Sequence, residues 1–196
     1  MKKFLTLRNA VLCFAATLVL AAFIMSFFVS LDATVEGVKG SYKHILWGCD
    51  KAVANGRTTP ISDMGTFSAD KLKAMGLPLA GVIMMVIATI GAILVALLVK
   101  KPFAKYVVAG LGLVILAGGI MQFWPVESFA RSYVYSFKGV EEASKANIDY
   151  AIEQHIALFK QLNAHAPLAV VMGVFGCLSG VAISVSGFLP EKQLIK

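Results

Sequence analysis

Apolar positions dominate this chain in four long blocks, with the polar positions gathered between them. Asn9–Leu31, Leu77–Val99, Tyr106–Val126 and Ala166–Pro190 run for 23, 23, 21 and 25 residues without a single Asp, Glu, Lys or Arg. At about 1.5 Å per residue, each makes a helix of roughly 31–37 Å, enough to cross a hydrocarbon core of about 30 Å. The pattern predicts an all-α membrane protein, a single domain over residues 1–196 built as a four-transmembrane-helix bundle. Its spans are 9–31, 77–99, 106–126 and 166–190, and its outer loops are 32–76 and 127–165.

The loops carry weaker patterns of their own. From Val140 to Asn163, Ile148, Ile152, Ile156, Phe159 and Leu162 recur at steps of three and four, with Glu141, Lys145, Asp149, Glu153 and Lys160 on other faces. That is an amphipathic helix. In the first loop, Asn55-Gly56 marks a tight turn joining Lys51–Ala54 to Arg57–Ile61 as a short hairpin, with Pro60 confining the second arm to an edge. Ser68 reads as the cap of a short helix that Gly76 closes. Hairpin and amphipathic helix together predict an extracytoplasmic cap. The apolar face of the helix needs a cover: the first loop, lipid headgroups or a partner protein. The apolar segment Tyr42–Trp47 is expected to lie on the membrane face or close over the bundle.

Within the blocks, small residues form stripes. Gly173, Gly176, Gly180, Ser184 and Gly187 share one face of the fourth span, with Gly176 and Gly180 in a small-xxx-small arrangement. Lipid tails supply no hydrophobic drive between helices, so close backbone approach provides the contact energy. The stripe predicts helix packing, either within the chain's own bundle or between copies in a homo-oligomer. Span one offers Ala15, Ala22, Ser26 and Ser30; span two Gly81, Ala88, Gly91, Ala92 and Ala96; span three Gly110, Gly118 and Gly119. Aromatic residues mark the span borders at Phe27, Phe28, Phe103, Tyr106, Phe123 and Trp124, the positions of an interfacial belt.

Composition agrees: 58% of residues are hydrophobic and the mean hydropathy is +0.78. Charge then sets orientation. Segments 1–8, 100–105 and 191–196 hold eight basic residues against Glu191 alone, which accounts for the entire net charge of +7; the two long loops hold ten basic and ten acidic residues. Positive charge collects on the cytoplasmic side. Both termini and the 100–105 turn are therefore expected in the cytoplasm, with the long loops facing out of the plasma membrane. The basic residues form no patch interleaved with aromatics, so nucleic acid is not an expected partner; the lipid bilayer is. The first span exceeds the usual apolar length of a cleaved signal peptide and lacks a small-x-small site after it, so retention is expected.

Candidate chemistry is sparse. Cys13 and Cys177 lie in spans, and Cys49 is the single cysteine of the outer loops, which leaves only an intermolecular disulfide open to it. Asp149 and Glu153 are four apart, while His155 sits about 200° round the helix from Glu153. His44, His155 and His165 lack the spacing of a helical zinc pair and have no cysteine partners. No catalytic, cofactor-binding or metal residues are expected. Ion-coupled transport usually needs ionisable groups within the membrane, and the spans hold none.

The order of long outer loop, clipped inner turn and second outer loop resembles that of claudin-like tetraspan proteins. Leu46-Trp47-Gly48-Cys49 stands where those proteins carry Gly-Leu-Trp followed by two cysteines; here Ile45 replaces the glycine and the loop has one cysteine. The resemblance implies a four-helix bundle beneath an extracellular sheet. The span pattern is also similar to that of small bacterial four-span membrane proteins of uncharacterised function. The resulting expectation is a non-catalytic accessory or structural subunit recognising a membrane-protein partner through Ile45, Leu46, Trp47, Ile152, Ile156 and Phe159. The alternative is an oligomeric channel or exporter subunit for a small solute, with a polar path past Ser26, Ser30, Ser184 or Ser186.

Overall fold

A computed structural model describes residues 6–35, 38–43, 45–47, 51–54, 57–60, 76–99, 101–135 and 143–189. The order is α1 (Leu7–Ser26), β1 (Leu31–Val35), β2 (Val38–Lys43), β3 (Lys51–Ala54), β4 (Arg57–Pro60), α2 (Gly76–Leu98), α3 (Ala104–Ile120), α4 (Pro125–Tyr135), α5 (Lys145–Gln161) and α6 (Pro167–Ser186). A 3-10 turn, Met121–Phe123, extends α3. Four helices are long and apolar enough to span a membrane: Leu7–Ser26, Gly76–Leu98, Ala104–Phe123 and Pro167–Ser186, with mean hydropathies of 2.1, 2.8, 1.9 and 2.3. The protein is a multi-pass, mainly helical integral membrane protein.

The chain divides into two units. The first, residues 1–24, 81–122 and 171–196, is built from the spans. Many of its large apolar side chains point outward: Phe14, Ile87, Leu98 and Leu113 are all at least 60% exposed, as lipid-facing positions should be. Small residues line the closest helix contacts, beside larger buried side chains such as Met85, Ile115, Met172 and Ile183. A Cβ on Gly119 of α3 would lie 2.6 Å from the Cys177 nitrogen of α6, and one on Gly180 would lie 2.5 Å from the Leu116 nitrogen of α3. Real Cβ atoms do not approach backbone so closely, so only glycine permits this α3–α6 contact. Gly176 also packs against Met85 of α2, and Gly81 and Gly118 bring α2 and α3 together.

Hydroxyls add to the same seams. Ser184 donates to the Ala109 carbonyl of α3 at 3.1 Å. Ser179 shares its O–H between the Phe175 carbonyl of its own helix at 2.7 Å and the Ala15 carbonyl of α1 at 3.1 Å. Ala15 and Ala22 of the span-one stripe are fully buried. The expected stripe Gly173, Gly176, Gly180, Ser184 and Gly187 thus lies against helices of its own chain, Gly187 beside the Lys105 carbonyl and Gly173 beside Gly119.

The second unit, residues 25–80 and 123–170, contains the sheet and the two shorter helices. The strands form an antiparallel meander in the order β1-β2-β3-β4. The expected hairpin is β3–β4, with Ala54 opposite Arg57. Strands β1 and β2 were not expected, and they change two assignments. Span one does not continue to Leu31: α1 ends at Ser26, and Leu31 opens β1 opposite Tyr42. Tyr42, expected in an apolar segment on the membrane face or over the bundle, is a residue of β2. The outer edge of β1 is closed by the chain before α6: Asp32 and His165 exchange backbone hydrogen bonds of 2.8 and 2.9 Å, and Thr34 donates to Leu162 at 3.1 Å.

Span three also stops earlier than Val126. Pro125 opens a separate helix, α4, at the first helical position where its missing N–H costs nothing. Glu127 lies in its first turn, where the helix dipole favours an acid. The second-loop helix is present as α5, shorter than Val140–Asn163. Ser144 caps it by accepting from the Asn147 N–H at 3.3 Å. Asn163 ends it in a left-handed conformation, φ 49°, while Ala164 donates back to the Phe159 carbonyl. The helix expected after Ser68 lies outside the described residues.

Candidate functional site

The second unit is organised around rings contributed by three separated segments. Tyr42 of β2 lies 5.0 Å from Phe129 of α4 and 6.3 Å from Phe159 of α5, measured between ring centroids, and Phe129 and Phe159 are 5.6 Å apart. Tyr133 joins the cluster at 6.2 Å from Phe129. Tilted and edge-on rings at these distances match the quadrupole preference of aromatic pairs. The apolar face of α5 is therefore covered by the first loop together with α4.

A second knot ties the 45–47 turn to the end of α1. Trp47 donates its indole N–H to the Ser26 hydroxyl at 2.9 Å, and its ring stacks on Phe27 at 4.8 Å with planes 6° apart. The Ile45 N–H donates to the Val29 carbonyl at 3.0 Å.

These contacts correct the expected docking surface. Ile45, Leu46, Ile152 and Phe159 are 8%, 2%, 4% and 4% exposed. The chain's own side chains enclose them, which removes them as anchors for another protein. Trp47 and Ile156 remain half-buried.

The ionisable residues do not converge. Asp149 and Glu153 are exposed on α5. His155 donates its Nδ1–H to the Ala151 carbonyl one turn back at 2.8 Å, and its ring lies 5.3 Å from Tyr133. His165 is held by the Asn163 carbonyl at 2.9 Å. Among the described residues no three His, Cys, Asp or Glu side chains are grouped to hold a metal ion. His44 and Cys49 lie outside the described residues.

Among the described residues of this unit is an open cavity with a volume of about 480 Å³. Leu77 and Ala80 from the start of α2, Trp124, and Ile152 and Ile156 of α5 form its apolar wall. Glu127, Ser128 and Arg131 of α4 form the polar side, and Gly76 closes it. Gly76 needs to be glycine twice over: its φ is 67°, and a Cβ there would collide with the Ser128 side chain. Glu127 pairs with Lys160 of α5 at 3.4 Å, whereas Arg131 has no ion-pair partner among the described residues. No family model matches the chain, and no curated protein sequence matches it.

Sequence reasoning missed this cavity because it treated residues after Val126 as loop. Phe129, Ala130 and Val134, all buried, were the signal that α4 has an inward face.

Proposed function

We propose that this four-span protein is a non-catalytic accessory or structural subunit of the plasma membrane. Both termini are cytoplasmic in this reading, and the loops 32–76 and 127–165 form a recognition surface on the opposite side. The observation that carries it is the outward face of α5. Tyr150 is 65% exposed and Leu158 47% exposed on a helix whose other side is locked into the core by Ile152 and Phe159. The two lie within about 80° of arc, with Gln154 between them. Apolar side chains presented on a firmly anchored helix make a preorganised recognition face. Tyr150 and Leu158 take the docking role expected of the buried residues.

The sheet between the first two spans supports the claudin-like outline; no activity is carried over from that resemblance. The channel alternative gains less support. Its polar path needs hydroxyls free to meet solute. Instead, Ser26 accepts from Trp47, Ser184 donates to Ala109, and Ser186 donates to Ile183 at 2.7 Å.

Site-specific photo-crosslinking in intact cells tests the proposal. A crosslinker at Tyr150 should yield one discrete adduct of fixed stoichiometry, lost when Leu158 is changed to Asp. With Cys49 replaced by Ser, an impermeant thiol reagent should label Lys145→Cys and spare Lys101→Cys. No adduct at either α5 position, or labelling with the reverse sidedness, would overturn the reading.

A further inference from the structure

The cavity beside α4 has a size and a charge distribution that suit a particular occupant. Its volume of about 480 Å³ falls within the usual range for small-molecule sites. The residues that open it stand at the ends of spans: α2 begins at Gly76, and Trp124 follows the last residue of the span Ala104–Phe123. That is the depth at which hydrocarbon gives way to headgroups, where Trp is favoured.

The lining is divided in the same sense. Leu77, Ala80 and Ile156 offer a surface for hydrocarbon, whereas Arg131 offers hydrogen-bond donors. Net charge decides the sign of the headgroup. Glu127 is paired with Lys160, whereas Arg131 has no ion-pair partner among the described residues. A guanidinium presents a planar fork of donors that matches two oxygens of a phosphate. The first turns of α2 and α4 also border the cavity and contribute the positive ends of their dipoles.

We infer that this cavity binds one anionic phospholipid of the surrounding bilayer, its phosphate held by Arg131 and the start of an acyl chain laid along Leu77, Ala80 and Ile156. The bound lipid fills the wall between α2, α4 and α5. This binding requires only that the chain sit in a bilayer, so it stands or falls separately from the partner proposed for α5.

The full chain carries two tryptophans, so Trp47→Phe leaves Trp124 as the reporter. Reconstituted in phosphatidylcholine vesicles, this variant is titrated with brominated phosphatidylglycerol or brominated phosphatidylcholine, and Trp124 fluorescence is read. Quenching by the anionic lipid should reach half-saturation at about tenfold lower mole fraction, the scale of one charge-assisted hydrogen bond. Arg131→Gln should abolish that preference, while Lys145→Gln, which removes an exposed positive charge outside the cavity, should leave it intact. Ala80→Phe, which fills the apolar part without altering charge, should weaken quenching by both lipids. Equal quenching by the two lipids, an equal loss in Lys145→Gln, or full displacement by inorganic phosphate would overturn the assignment.

Discussion

The two units of this protein hold their elements together by opposite means. In the spans, α3 meets α6 through Gly119, Gly176 and Gly180, at separations that a single methyl group would violate. In the unit containing the sheet, β2, α4 and α5 meet through the rings of Tyr42, Phe129 and Phe159. The difference follows the solvent. A large apolar side chain gains no hydrophobic drive by leaving lipid for a protein interior, so close backbone approach supplies contact between the spanning helices. Between the spans, burying the same side chain removes it from water and is favourable by about 25 cal/mol per Å². One sequence therefore closes its spans at glycine contacts and gathers its loops around aromatic rings.

Substitutions of opposite kind should break the two regions. Phe159→Ala should be the most damaging change, lowering stability by about 3–5 kcal/mol as a cavity opens between Tyr42 and Phe129; thermal melts in detergent would measure it. Gly180→Leu should cost about 3 kcal/mol, because the added atoms meet the backbone at Leu116 and nothing soft can yield. Gly110→Leu sharpens the comparison. It is the same exchange in α3, but no atom lies within 4 Å of the new Cβ, so melts should shift by less than about 0.5 kcal/mol. Trp47→Phe keeps a ring over Phe27 and loses the bond to Ser26, a change of about 1 kcal/mol. Lys160→Gln should have the smallest effect, under about 1 kcal/mol and vanishing in high salt, since its bridge to Glu127 is largely exposed.

The spans were legible because a block without charge has few other uses, and the fourth-span stripe because glycine recurs there at helical spacing. Their ends were harder to read. Leu31 and Val126 look like membrane residues, yet Leu31 is buried as the first residue of β1 and Val126 lies in α4. Apolarity alone does not distinguish lipid from a protein interior. Glycine was similarly ambiguous: Gly110 has open space beside it, while Gly112, not singled out, lies against Ser184. In the loops, Asn55-Gly56 marked one hairpin through local chemistry. Strands β1 and β2 depend in addition on pairing with β3 and with His165, which no local pattern announces. The burial of Phe159 depends likewise on Tyr42 and Phe129, which reach it from distant parts of the chain.

The most direct test of this contrast is the mass of the protein in density-matched micelles by sedimentation equilibrium, with wild type and Gly180→Leu compared and helical content recorded on the same samples. If the glycine face of α6 is closed by α3 of its own chain, wild type sediments as a monomer and the variant loses structure without passing through a smaller folded species. A wild-type dimer that becomes a fully folded monomer on Gly180→Leu would contradict the account, since the stripe would then belong to an interface between copies.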